Sequence, residues 1–550
     1  MSTTAHRVAR LSQLHADRAV RVSVDDTPIL LVRDGDTVHA YSADCPHAGG
    51  PLEQGALCRG RIICPWHKGT FDAATGCVLE PPPLMPLDRY PVTIDGDDVL
   101  VTPQKMPPRE PETRAEPADA AVAAAPPPHY VVIGAGAAGG AACVALREAG
   151  FDGRITLVGD EAHAPYDRTA LSKFVPSFDM PPADVPSLVD ADWMRTHRIE
   201  RIVAKVARLD VPARTIHFEA GAAGSAPRNE RGMDALKYDT ALLATGSVPK
   251  VPDIPGRELG GVHVLRHLDD AAALVDALGD DPSQTRVAIL GSSFIGLEVA
   301  SALRKHGVPV TVISPAKVPF VKQFGERAGQ MFRALHESNG VKFYLESKVA
   351  SLEGDEGSVH AVMLESGEHI AADVVLLGTG VAPATGFVEG LPLQKDGGIV
   401  VNAGMHAACG LYAAGDIAVF SLRENQEPVR IEHWRVAQQH ARIAAQNMCG
   451  ARNRYTGVPF FWTYHFGKKF EYLGYASEWD EIVVDGNLDE QQFIALYVRD
   501  GNVDAVLACE REAVTARLID AMRDGLSRTH ALQIIGSAAR IAPEPASPGS

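Results

Sequence analysis

Residues 130–139 read Tyr130-Val-Val-Ile-Gly134-Ala-Gly136-Ala137-Ala138-Gly139. An apolar run meets a glycine turn and opens an Ala-rich stretch, which reads as strand, tight turn and helix. In that frame GxGxxG is a dinucleotide signature: its glycines let the backbone approach a pyrophosphate seated on the helix N-terminus. The same pattern recurs at 286–313, RVAILGSSFIGLEVASALRKHGVPVTVI. There Gly291-Ser292-Ser293-Phe294-Ile295-Gly296 keeps the first and third glycines and has Ser293 for the second. A side chain at that place slightly hinders pyrophosphate approach but keeps the frame. Two such units predict two Rossmann-like α/β nucleotide-binding domains. After the first motif a strand, ITLV, ends at Gly159-Asp160-Glu161. Asp160 stands about 20 residues on, where an acid takes the ribose hydroxyls. After the second, VPVTVI ends at Ser314-Pro315 and carries no acid. Ser314 decides neither NADH nor NADPH, and Lys317 reads as a surface lysine rather than a 2′-phosphate ligand.

Upstream, residues 7–102 hold short β-like runs (VRVSV, PILLV, TVHAY, RIIC, YPVTI, DVLVT) punctuated by Gly, Asp and Pro. They predict a small antiparallel β domain. Pro103 to Pro128 has no apolar periodicity and reads as an extended linker, long enough to let a domain dock. Downstream of about Gly457, FIALYVRD, AVLACE and ARLIDAMRDGL predict an α+β domain, and the tail APEPASPGS predicts disorder. The expected division is therefore 5–103 (β domain), 104–128 (linker), 129–257 with 383–456 (first nucleotide domain, discontinuous), 258–382 (second), 457–540 (α+β) and 541–550 (tail).

Within the β domain, Cys45-Pro-His47 is followed after sixteen residues by Cys64-Pro-Trp-His67. Two Cys and two His in paired loops could hold zinc, the competing reading. C-x-H with C-x-x-H, each carrying Pro in a β-rich setting, favours a Rieske [2Fe–2S] site. Two thiolates would hold one iron and two neutral imidazoles the other, which leaves the cluster less negative and easier to reduce.

Composition bounds the rest. Lys plus Arg is 52 and Asp plus Glu is 69, a net charge of −17, which argues against a nucleic-acid partner. The opening MSTTAHRVARLSQLHAD lacks the apolar core of a signal peptide, and no run approaches ~18 apolar residues, so no membrane span is expected. Cys58, Cys77, Cys143, Cys409, Cys449 and Cys509 fall in no motif and read as buried small hydrophobes in a reducing cytoplasm. The pattern leaves oligomeric state, including a homo-oligomer, open.

The segment GDEAHAPYDRTALSK (159–173) resembles the FAD segment of oxygenase-coupled ferredoxin reductases and of apoptosis-inducing factor. The likeness continues through Ala244-Thr245-Gly246, Gly378-Thr379-Gly380, LYAAGD ending at Asp416, IEHW (Glu432, His433, Trp434) and PFFW ending at Trp462. With the Rieske module in front, the chain is most similar to apoptosis-inducing-factor-like proteins. The resemblance implies that Asp160, Glu161, Arg168, Lys173, Val206, Lys250 and Asp416 contact FAD, with Trp462 against the isoalloxazine edge. It implies that Glu298 pairs with Lys173 at the hydride-transfer site, that Glu432 and His433 approach the nicotinamide, that Gly380 is a cofactor-binding residue, and that NADH is the donor. The N-terminal region resembles Rieske ferredoxins, including Gly76 and a Pro81-Pro82-Pro83 loop over the cluster. High-potential Rieske proteins tie their cluster loops with a disulfide and donate Ser and Tyr hydroxyls to sulfur. The matching positions here are Gly50 and Trp66, and Gly69 and Phe71. That implies a low potential, about −150 mV, suited to a reduced flavin. No Cys lies between Cys143 and Cys409, so a thiol relay is not expected. The implied function is NAD(P)H-dependent electron transfer through FAD and the cluster to an acceptor protein; the alternative is a redox-sensing, partner-binding flavoprotein. A nitrite-reductase component is remote, because the chain lacks the further four-cysteine region.

Overall fold

The computed structural model describes residues 4–107, 127–219, 234–423 and 426–538. They fall into two compact units. One comprises residues 1–114, 457–462 and 471–550, and the other 115–456 and 463–470. Most of the linker and the whole 541–550 tail lie outside the described residues, as does part of the expected first nucleotide domain, 220–233.

In the first unit the N-terminal segment builds three antiparallel sheets. Alternation explains them: in Val20–Val24 (VRVSV) partly or fully buried valines alternate with exposed Arg21 and Ser23, and the strand pairs with Thr27–Asp34, which pairs with Thr37–Ser42. A smaller sheet runs Ala56–Cys58, Arg61–Ile63, Thr70–Asp72, Val78–Glu80. Its second connection carries Cys64 and His67. Around it Leu30, Tyr41, Leu52, Ile62, Phe71 and Leu87 form a core that also buries Cys45 and Cys64. The C-terminal part of this unit belongs to a five-stranded sheet followed by helices Glu512–Met522 and Arg528–Ala538. The N-terminal β segment forms one compact unit with the C-terminal α+β part.

The second unit holds the two nucleotide folds. In the first, strand His129–Ile133 lies between Arg154–Gly159 and Thr240–Leu243, parallel to both. In the second, Val287–Leu290 lies between Val310–Ile313 and Val374–Leu377, also parallel. Each central strand is a near-continuous apolar run because helices cover both faces of such a sheet. Each is where strand order reverses, and the helix that follows it (Ala137–Glu148 or Phe294–Arg304) begins at that crevice, the binding position of doubly wound folds.

Among the described residues no helix is long and apolar enough to cross a membrane. Of the six cysteines outside the ligand motif, Cys143 and Cys509 are buried and Cys58 and Cys449 partly so. Cys77 and Cys409 are exposed, which corrects the buried reading: Cys77 sits in the turn after Asp72 and Cys409 in the turn before Leu411–Ala413.

Candidate functional site

The metal centre is assembled by two turns. His47 Nδ1 and His67 Nδ1 stand 3.1 Å apart. Cys45 and Cys64 are hydrogen-bonded to each other and buried. The Cys64 thiol is pulled below its ordinary value by that hydrogen bond and by the backbone N–H groups of Trp66 and His67, against the effect of burial. Cys45 moves up, through the same sulfur contact and burial. The four donors are thus two facing pairs, His with His and Cys with Cys. Among the described residues no three such side chains converge on one ion. A two-iron cluster needs that paired arrangement; a tetrahedral zinc does not.

The surrounding loops are tight. A Cβ on Gly50 would lie 2.9 Å from Cys64 Sγ and 3.2 Å from the Trp66 ring. One on Gly69 would lie 2.5 Å from Pro83 Cδ, so the proline loop does lie against the second ligand loop. Gly76 is required by its φ of +74° and by Tyr41, 2.7 Å from where its Cβ would be. Trp462 is in this unit, with its ring centroid 4.1 Å from that of His67.

In the second unit the three glycines of the first motif have different jobs. A Cβ on Gly134 would meet Ala244 O at 2.2 Å and one on Gly139 would meet Gly134 O at 1.9 Å, so both are fixed by packing. At Gly136 only Arg168 Nε lies within reach, at 3.8 Å. No side chain caps the Ala137–Glu148 helix, whose first turn includes Ala138. That is a cradle open to a phosphate, and it fits FAD. Asp160 is exposed just past its strand. Glu161 is engaged by Arg168 and by Tyr166 Oη, 2.7 Å. Burial opposes its ionisation, but the Arg168 charge and the Tyr166 bond win and hold its carboxyl below the usual range. Arg168 also donates to Arg266 O, 2.7 Å. Asp416 accepts from Ser247 Oγ, 3.0 Å, and lies 3.6 Å from Arg266. Val206 opens a half-buried strand, Val206–Asp210, that lies between Thr215–Phe218 and Val388–Glu389. Lys250 is exposed; its N–H donates to Gly380 O, 2.9 Å.

The second motif is built alike with one difference. Gly291 and Gly296 are again required by packing: a Cβ would meet Gly378 O at 2.4 Å or Gly291 O at 2.7 Å. Ser293 caps its own helix by accepting from Gly296 N–H, 3.3 Å. Ser292 Oγ pairs with Ser314 Oγ, 2.9 Å; Phe294 stacks on Phe320 at 4.4 Å; Ile295 is half-buried. Lys317 is paired with Glu326, 2.7 Å, as a surface lysine would be. Burial raises the Glu432 carboxyl above its ordinary value despite Arg430, and pushes His433 down to about 3.

Between the motifs lies the closest functional geometry. Lys173 Nζ donates to Glu298 Oε2, 2.9 Å, and both side chains are nearly buried. Sequence reasoning paired these two but missed the rest. Ser172 Oγ donates to the same oxygen, 2.5 Å, and Thr463 Oγ1 donates to Oε1, 2.6 Å. Thr463 Oγ1 also meets His465 Nε2, 2.9 Å, and His465 Nδ1 meets His336 Nε2, 3.1 Å. A carboxylate only accepts, and a hydroxyl has one proton. Thr463 therefore accepts from His465 Nε2–H, and His465 Nδ1 accepts from His336 Nε2–H. Every bond in the chain points at Glu298. Burial and the Lys173 charge push His465 down to about 3, and burial, with His465 beside it, holds His336 well below its ordinary value, so both imidazoles are neutral. Ser172 lay inside the quoted FAD-like segment. Thr463 and His465 follow PFFW with no local signal, and His336 has none at all.

Comparison with known proteins identifies the family. Residues 128–441 match the pyridine nucleotide-disulphide oxidoreductase family, 4–91 the Rieske [2Fe–2S] domain and 460–535 the reductase C-terminal domain. The chain is 34% identical over 506 residues to apoptosis-inducing factor 3 of Homo sapiens, covering 90% of this chain and 80% of that one. It is 36% identical over 401 residues to the ferredoxin–NAD(+) reductase component of the biphenyl dioxygenase system of Paraburkholderia xenovorans, covering 72% and 93%. Among solved structures it is similar to the ferredoxin reductase for the CYP199A2 system of Rhodopseudomonas palustris: TM-score 0.67, 27% identity, 76% of this chain and 100% of that one.

Proposed function

The chain belongs to the pyridine nucleotide-disulphide oxidoreductase family, with a Rieske domain in front and a reductase C-terminal domain behind, and from that premise we propose that its own cluster takes the place of a separate ferredoxin. It is a ferredoxin-reductase-type oxidoreductase that uses FAD, NAD(P)H and a [2Fe–2S] cluster. FAD held in the first cradle would supply the conversion of a two-electron hydride donor to single electrons, and a cluster held by Cys45, His47, Cys64 and His67 would supply a one-electron carrier. Electrons then pass to an external acceptor protein. Relatives with the same core are named as ferredoxin reductases of oxygenase systems, which supports an acceptor of that class. The NADH preference rests on the same relatives.

The protein's part is to bind, orient and exclude water. Gly134, Gly136 and Gly139 admit the FAD pyrophosphate, with Asp160 at the ribose and Asp416, Arg168 and Lys250 along the rest. Gly291 to Gly296 admit the nicotinamide dinucleotide, and Glu432, His433 and Gly380 flank its reacting end. Three hydroxyl or ammonium donors converge on Glu298, which holds the Lys173 ammonium in one place. Lys173 then offers a fixed positive charge where negative charge develops. Cys45, His47, Cys64 and His67 hold the cluster.

The carrying observation is the paired His and Cys geometry in a chain that also holds both dinucleotide cradles. The test is Cys45→Ser in anaerobically purified holoprotein. It should keep flavin reduction by NADH and turnover of a two-electron dye within about two-fold, and lose at least about ten-fold in cytochrome c reduction. Unchanged cytochrome c reduction would remove the cluster from the path.

A further inference from the structure

Lys68 follows the cluster ligand His67, has a left-handed φ of 58°, and is 0% exposed. Its ammonium donates to Pro65 O of the cluster loop and also reaches into the C-terminal part of the same unit. There Nζ donates to Glu471 Oε1 and Oε2, 2.9 and 3.1 Å, and to Glu512 O, 3.4 Å. It stands 5.5 Å over the Phe460 ring. Glu471, 2% exposed, accepts as well from Thr515 Oγ1, 2.6 Å. Around this dry pair lies a rim of ion pairs. Arg59 and Arg61 reach Asp520 at 2.7 and 3.2 Å, Arg59 also meets Asp524, and Arg523 meets Glu80.

Transient electron-transfer contacts are small and wet. A fully desolvated ion pair tied to a third side chain is instead the mark of a permanent contact: with either partner removed, the other is an uncompensated buried charge. We propose that Lys68 and Glu471, with their arginine–carboxylate rim, form a permanent seat for the Rieske domain on the C-terminal domain. The cluster then works in place as a resident relay and does not leave its seat as a carrier. The relay role rests on the electron path proposed above; the seat does not.

The experiment introduces a protease site between residues 110 and 120 of the full-length holoprotein, nicks it, and passes it through gel filtration at falling concentration. The nicked wild-type protein should keep its Rieske fragment; release on dilution overturns the proposal. Glu471→Ala, which strands Lys68, should weaken retention about 100-fold or more. The paired replacement Lys68→Met with Glu471→Leu should restore it to within about ten-fold, since a buried pair exchanged for apolar residues is near neutral. Equal retention in Glu471→Ala and wild type, or no rescue by the paired replacement, overturns the pair's role. Stopped-flow reduction by NADH separates the two ideas. Cluster reduction at an unchanged, dilution-independent rate in the nicked protein supports the resident relay. A retained fragment whose cluster NADH does not reduce leaves the seat standing and sinks the path.

Discussion

Glu298 is buried and collects donors from Ser172, Lys173 and Thr463. A hydrogen bond to a charged group is worth about 1.5–3 kcal/mol, so each donor matters. Lys173→Ala should slow flavin reduction by NAD(P)H at least about ten-fold while FAD retention falls less, read by stopped flow and by equilibrium dialysis. Equal losses in both would make Lys173 a binding residue only. The buried histidines set a pH dependence. His440 and His465 titrate near 6.5 when unfolded and near 3 when folded, depressed first by burial. Between those values the unfolded chain binds more protons, so stability falls as pH falls. The loss is on the order of 2 kcal/mol per histidine between pH 7 and pH 5. Denaturant unfolding at the two pH values measures it, and His440→Asn should flatten the slope whatever it does to absolute stability.

At the scale of elements, the two glycine turns make opposite demands on neighbouring positions. Gly134 has φ +112° and would place a Cβ 2.2 Å from a backbone oxygen. Gly134→Ala should therefore cost about 3 kcal/mol of stability or prevent folding. Gly136 has φ −93° and open space before it. Gly136→Val should leave apoprotein stability within about 1 kcal/mol and reduce FAD retention at least about ten-fold. A calorimetric scan with a flavin titration separates the two, and comparable behaviour would contradict the assignment. The second helix shows what the sequence alone could only hint: Ser293 spends its hydroxyl on capping rather than leaving the N-terminus bare.

At the scale of the whole chain, the first unit joins residues distant in sequence, so its two parts should support each other. Deleting residues 1–104 uncovers the face carrying Phe460, Trp462 and Glu471. The unfolding transition reported by Trp462 fluorescence should then move down by more than about 5 °C, against an unchanged flavin-release temperature. A transition that stays in place would mean that the C-terminal part folds without regard to the Rieske domain.

The sequence by itself determined the modules and their cofactors. Cys45-Pro-His47 with Cys64-Pro-Trp-His67, and the two glycine turns, are local patterns whose geometry is set within a few residues, and local geometry survives into any fold that keeps the strand–turn–helix frame. The Lys173–Glu298 pair was legible too, but only through resemblance, since 125 residues separate its members. Tertiary structure alone decided which distant groups complete each site: Thr463 and His465 behind Glu298, and Glu471 on Lys68, 403 residues apart. None has a motif, because each works by a single contact whose partner is chosen by chain topology. It also decided that the Rieske segment forms one unit with the C-terminal part, a choice that the proline-rich stretch between modules leaves open. A linker's composition sets its reach; what its ends hold on to is set by surfaces that meet only after folding.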